Sequence, residues 1–311
     1  MKKVMTLAAG LILAAGAAHA QIGTPSDPGG YARPGTGNVL TDHLAGLPTN
    51  FPGSRTAWME QGGFLQRAYA DYSSGHYPEA LSRLQGIVSR VPNSLAAHQM
   101  LADIYIRQDR IKDAVPEMEQ VVRLDPKDRD ARSNLGVAYL QTSQYDKAVQ
   151  LYRDAAASAP RDSKLAFQLG IALEQSGKHA EAAQAFEQAA ALAPRDGRAP
   201  LYAGLLYHQT GSDAKAVPLL QKALALGARQ KFNAYTALAE ADVTAKKTEE
   251  AIQNYQLAAQ ADPKNALSQY NLGTLYEQQG RNDLATAAYQ KAMAIDPKMT
   301  DASDNLTRLG K

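Results

Sequence analysis

The chain of 311 residues contains no cysteine. That absence excludes disulfide staples, thiolate zinc and iron–sulfur sites, thiol nucleophiles, covalent c-type haem attachment and a lipidated-cysteine anchor. An excess of one charge is missing too: 33 Lys plus Arg stand against 31 Asp plus Glu, and Lys2 and Lys3 sit at the extreme N-terminus. The remainder is balanced, so the sequence offers no strong field for nucleic acid or acidic lipid. Beyond the N-terminal segment no apolar run reaches membrane-spanning length without charge. The histidines, His19, His43, His76, His98, His179 and His208, include no pair at i, i+3 or i, i+4, the spacing that sets two ligands on one helix face. Neither G-x-S-x-G nor H-E-x-x-H occurs. Carboxylate pairs such as Glu249-Glu250 read as solvated helix surface. These absences argue against an enzyme and against a bound metal or cofactor. With 45% hydrophobic and 21% charged residues, the chain nevertheless has enough apolar material for a substantial core.

What is present begins with an address. Residues 1–20 combine a cationic start, an apolar stretch from Val4 to Ala15 and a close on Ala18-His19-Ala20, the A-x-A pattern of a secretory signal peptide. The stretch is short for a membrane span. A cleaved, exported, periplasmic protein starting near Gln21, with no integral span, is the expectation. Residues 21–60 hold seven Gly and five Pro and no lysine. This composition cannot form its own core and reads as a flexible arm. Its scattered apolar residues, Tyr31, Leu40, Leu44, Leu47, Phe51 and Trp58, leave docking on the folded body open.

From Gln61 the chain repeats itself. Leu135-Gly136 and Leu169-Gly170 lie 34 residues apart, and the register extends to seven units: 61–94, 95–128, 129–162, 163–196, 197–230, 232–265 and 266–299. Position 8 of each unit is small (Ala68, Ala102, Gly136, Gly170, Gly204, Ala239, Gly273), and position 20 is always Ala. Position 24 is large and apolar (Leu84, Met118, Tyr152, Phe186, Leu220, Tyr255, Tyr289), and position 32 is Pro in six units. Small residues at 8 and 20 let two helices approach, large ones at 11 and 24 fill the surrounding space, and Pro ends the second helix. Gly75, Gly177, Gly211 and Gly280 at position 15 permit the tight reversal between helices.

These columns resemble the tetratricopeptide repeat family. The resemblance implies an all-α, right-handed α-solenoid of seven helix-turn-helix repeats, closed by a short capping helix within 300–311 whose Asp301, Asp304, Asn305 and Arg308 face water. Position 11, usually aromatic in the family, is Asp71 in the first unit and Asp242 in the sixth, where looser joints are expected. The fifth unit ends without Pro and with one extra residue at Lys231, so the stack is expected to divide as five plus two repeats.

First-helix positions 2, 5, 6, 9, 12 and 13 share the side opposite the packing positions and should line a concave groove. Val137, Leu140, Phe167, Ile171, Leu201 and Leu205 would form an apolar strip there, edged by Lys164 and Arg198, with Asn134, Gln168, Tyr202 and His208 completing the groove. The expected ligand is an apolar polypeptide segment whose acidic group meets the two cations. The alternative is that these side chains only pack between neighbouring first helices. A carboxylate clamp of the kind some relatives use is matched at Asn134 and Lys164 but not at Gln99, Asp103 and Gln168, so capture of a chaperone tail is not expected. The resemblance implies a non-enzymatic adaptor that binds a protein or peptide, an envelope component given the export signal. Two other classes stay open: a periplasmic scaffold of an exopolysaccharide exporter, and a hydrolase acting on glycan or peptide.

Overall fold

The computed structural model of the protein describes residues 55–310, all of whose regular structure is helical. The signal-like segment and nearly all of the arm lie outside the described residues. The helices are α1 (Arg55–Ser73), α2 (Tyr77–Arg90), α3 (Leu95–Arg107), α4 (Ile111–Leu124), α5 (Arg129–Gln141), α6 (Tyr145–Ser158), α7 (Ser163–Gln175), α8 (His179–Leu192), α9 (Arg198–Gln209), α10 (Asp213–Ala225), α11 (Lys231–Thr244), α12 (Thr248–Ala261), α13 (Ala266–Gln278), α14 (Asn282–Ile295) and α15 (Thr300–Arg308). They form an all-α solenoid of helix pairs. α1 begins at Arg55, so residues 55–60, read from sequence as the end of the arm, belong to the first helix.

The described chain divides into two compact units, one ending at Ser158 and the other beginning at Ala159. The first holds α1 to α6 and the second α7 to α15. The division therefore does not fall after the fifth repeat, where the extra residue had suggested it. There the chain closes tightly: Gly227 takes φ +77°, the Ala228 N–H donates to Ala223 O at 3.0 Å, and Ala228 is buried. A left-handed C-cap thus replaces the missing Pro as the helix stop.

Within each pair the small and large columns meet. All seven Ala at position 20 are fully buried, and Tyr152, Phe186, Leu220, Tyr255 and Tyr289 at position 24 are buried beneath them. A Cβ added to Gly136 would lie 2.2 Å from Tyr152 Cζ, and one on Gly273 would lie 2.5 Å from Tyr289 Cε1. The ring occupies the volume a side chain would need, which is why position 8 is Gly wherever the facing ring sits closest.

The reversal at position 15 is left-handed in every repeat. Gly75, Gly177, Gly211 and Gly280 adopt φ of 73 to 77°, and Asp109, Ser143 and Lys246 adopt the same region at 59 to 60°. The N–H of position 16 then donates to the carbonyl of position 11, as from Arg110 to Tyr105, Gln144 to Tyr139 and Lys247 to Asp242, each at 2.8 Å. This is a Schellman closure of the first helix. An L side chain in this conformation costs roughly 1 kcal/mol, partly offset by its lower unfolded-chain entropy relative to Gly. Ser143→Gly and Lys246→Gly are each expected to raise unfolding free energy by about 0.5 kcal/mol, read from denaturant midpoints at unchanged m-value.

Position 11 does more than fill space. In the first unit Tyr105 Oη accepts from Gln85 Nε2 at 3.2 Å, and Tyr139 Oη donates to Glu119 Oε1 at 2.7 Å. In the second, Tyr207 Oη donates to Glu187 Oε2 at 2.5 Å, and Tyr276 Oη accepts from Gln256 Nε2 at 3.0 Å. Each bond joins position 11 to position 25 of the preceding repeat, and each ring carries a cation from its own repeat: Arg110, Lys147, Lys215 or Arg281, 4.7 to 5.3 Å from the centroid. Asp71 and Asp242 instead turn inward on their own pair, accepting from Arg83 Nε at 2.6 Å and Asn254 Nδ2 at 2.8 Å. The tyrosine bond between repeats is thus exchanged for one within a repeat. The cap α15 buries Ala302, packs Leu306 and Leu309 on the last core, and pairs Arg308 with Glu277 at 2.7 Å. Asp301 and Asp304 are exposed and Asn305 is half-buried.

Candidate functional site

The candidate groove residues fall on helices of both units, and each unit is described by itself. In the first, Asn134, Val137 and Leu140 lie on α5 and are half-exposed. α5 starts where it does because Asp128 accepts from the Asp130 and Ala131 N–H groups, an N-cap at position 34 of the previous repeat. Asp162 caps α7 in the same way through the Lys164 and Leu165 N–H groups.

In the second unit the strip is largely interior. Ile171, Leu201, Tyr202 and Leu205 are buried, so they are not the open apolar surface that the helical wheel suggested. The wheel gives a side chain's direction but not how near the next helix comes. Phe167, half-buried, meets Phe186 edge-on at 5.0 Å between centroids and Tyr202 at 5.7 Å, and Phe186 stacks on Tyr202 at 5.2 Å. This aromatic trio ties the fourth repeat to the fifth. The Arg198 guanidinium lies 5.3 Å over the Phe167 ring and donates to Asp196 Oδ2 at 2.8 Å. Arg198 thereby holds the Asp196 carboxyl below the usual carboxylate range. Arg198 is thus engaged within the fold, while Lys164 is exposed and Gln168 half-buried beside Phe167 on α7.

His208 is held between two carboxylates, with Nδ1 2.7 Å from Asp213 Oδ1 and Nε2 2.9 Å from Glu240 Oε2. Burial pulls its pKa down, but the bonds to Glu240 and Asp213 outweigh that and raise it. The residue joins α9 to α11 and is a structural tie between repeats five and six.

Glu174, at position 12 on α7, was not singled out from sequence. Burial alone pushes its carboxyl up to about 7, and Oε2 is enclosed without a hydrogen-bond partner. The folded state therefore holds this proton more tightly than the unfolded chain. Its contribution to stability falls as pH rises from about 4.5 to about 7. Urea midpoints should drop across that interval, and Glu174→Gln should flatten the drop.

Comparison with known proteins agrees with the geometry. Tetratricopeptide repeat models match residues 100–163, 167–231, 239–280 and 266–299, and a family of unknown function matches residues 59–115. The chain belongs to the tetratricopeptide repeat family. Among solved structures, it resembles the C-terminal part of a TPR repeat-containing protein from Cytophaga hutchinsonii at 18% identity and TM-score 0.61, over 78% of this chain and 99% of that one. It also resembles YrrB, described as a TPR protein with an unusual peptide-binding site, at 19% identity and TM-score 0.53, over 60% of this chain and 96% of that one. A MamA protein matches at 20% identity and TM-score 0.51, over 55% of this chain and 92% of that one. These likenesses concern the fold. No curated protein matches the chain. Among the described residues no helix is long and apolar enough to cross a membrane.

Proposed function

We propose that this protein is a non-enzymatic scaffold that holds a segment of another polypeptide along the first-helix face of its repeats. The observation that carries the reading is the division of labour inside each repeat. The columns at positions 8, 11, 20 and 24 are consumed by packing and by bonds between repeats, whereas the first-helix face keeps exposed Lys164, half-exposed Phe167 and an unpartnered buried carboxyl at Glu174. A polar group left unsatisfied at a half-exposed position is open to completion by a bound partner. The peptide-binding site named for YrrB supports this reading by likeness of fold alone. The N-terminal signal pattern supports export to the periplasm and an envelope component as partner.

Selection of random peptides of about a dozen residues, displayed on phage, against the full chain tests the role. Binders are expected whose affinity falls about tenfold or more with Lys164→Glu, a change at the exposed cation of the face, with the helical signal and melting unchanged. Binders indifferent to that change, or none at all, would remove the proposal.

A further inference from the structure

Three joints between first helices, counting the one to α15, carry a polar contact from position 12 of one repeat to position 9 of the next. Tyr72 Oη donates to Asp103 Oδ2 at 2.5 Å, His208 Nε2 meets Glu240 Oε2 at 2.9 Å, and Arg308 Nη2 donates to Glu277 Oε2 at 2.8 Å. Each pair sits in one register.

Three other joints carry apolar side chains at position 12, Ile106, Leu140 and Val243, and need no such contact, but between repeats four and five position 12 is a carboxyl. Position 12 there is Glu174 on α7, but position 9 of the next repeat is Leu205, which is buried and carries no donor. Glu174 Oε2 is enclosed and unpartnered. One turn beyond Leu205, on the same side of α9, Gln209 Oε1 is also enclosed and unpartnered. Two acceptors, on the first helices of repeats four and five, therefore lack a donor. A buried acceptor without a donor costs stability, and an apolar side chain would remove that cost, as Val243 does at position 12 of the sixth repeat. Each residue as a whole is only half-buried, so a small side-chain rotation presents its enclosed oxygen to an incoming group. The missing chemistry is specific: several N–H donors, positively charged, on a stem long enough to enter between two helices. Arginine and lysine side chains meet it.

We propose that Glu174, seconded by Gln209, is the subsite that anchors an arginine or lysine side chain of the bound polypeptide. The inference rests on the polypeptide-binding reading of the first-helix face and names the partner's chemistry at one point of it. It complements Lys164, which sits near the opposite end of α7.

The same phage-displayed peptides provide the test, selected against the full chain and measured as synthetic peptides against wild type, Glu174→Gln and Glu174→Leu. Selected sequences should share a basic residue at one position. Replacing that residue by alanine should weaken binding to wild type about 30-fold, and should weaken binding to Glu174→Gln far less, because the partner it addresses is gone. At pH 8, where the Glu174 carboxyl is ionised, both variants should melt above wild type, Glu174→Leu the more so because it leaves no acceptor there. Peptides that depend on Lys164 but show no basic residue coupled to Glu174 would overturn this subsite and leave the binding face standing. Failure to select any peptide that depends on the face would overturn both. A variant melting below wild type would show that Glu174 serves the fold, and would also overturn the subsite.

Discussion

Gly273→Val should lower the unfolding free energy by about 3 kcal/mol, and Gly273→Ala by about half as much. The added Cβ would stand 2.5 Å from Tyr289 Cε1, and that ring is fully buried with its Oη bonded to Glu277 Oε2 at 2.9 Å. Neither side can withdraw freely: the glycine belongs to the backbone of α13, and the ring is enclosed by the last core. Repeat six indicates why alanine is the milder change, since Ala239 occupies position 8 there with Tyr255 buried at position 24. A β-branched side chain has no such precedent in any of the seven repeats. Replacing Tyr289 by Leu in the Gly273→Val background should recover part of the loss, so a double-mutant cycle should show coupling of about 1 kcal/mol or more. Purely additive effects in urea unfolding would mean that the glycine is not held by the ring.

Phe186→Ala should cost about 3–5 kcal/mol, the range for deleting a buried aromatic ring. The ring is fully buried, stacks on Tyr202, meets Phe167, and would lie 2.8 Å from a Cβ on Gly170. Its removal takes out the large member of repeat four and the middle of the contact with repeat five. In a repeat protein such a loss is felt first by neighbours. Hydrogen exchange should therefore accelerate most in α7 to α9 and least in α13 to α15. Acceleration spread evenly over the second unit would show that it unfolds as one block.

The fold was legible because side-chain volume carries it. Glycine facing a large residue sixteen positions on, in Gly136 and Tyr152 or Gly273 and Tyr289, states a close approach that few arrangements other than a helix pair satisfy. The proline column and the capping helix were readable for the same local reasons. Other features were not. Asp109, Ser143 and Lys246 give no sign of a left-handed turn by residue type, although their place in the register with Gly177 would have shown it. The boundary at Arg55 was hidden because Gly and Pro earlier in the arm outweighed a helix start only a few residues before the first repeat. The missing Pro after the fifth repeat pointed to a division that Gly227 and Ala228 prevent.

The candidate site was legible only in outline. Phe167, Ile171, Leu201 and Leu205 share one side of their helices by periodicity, but the approach of neighbouring helices buries all except Phe167. Glu174 was visible as one groove position among many. Its oddity appears only when position 12 of a repeat is set against position 9 of the next, which here is Leu205 and offers no donor. That comparison needs the register between repeats rather than the face of one helix.

The most direct test of the binding face is photo-crosslinking, with a benzophenone side chain placed at Gln175 on α7 or at Gln188 on α8 of the full chain and a selected peptide added. Gln175 lies on the first-helix face, and Gln188 is exposed on the second-helix side of the same repeat. The account predicts a peptide adduct from Gln175 and none from Gln188. Adducts from Gln188 alone, or equal yields from both, would contradict it.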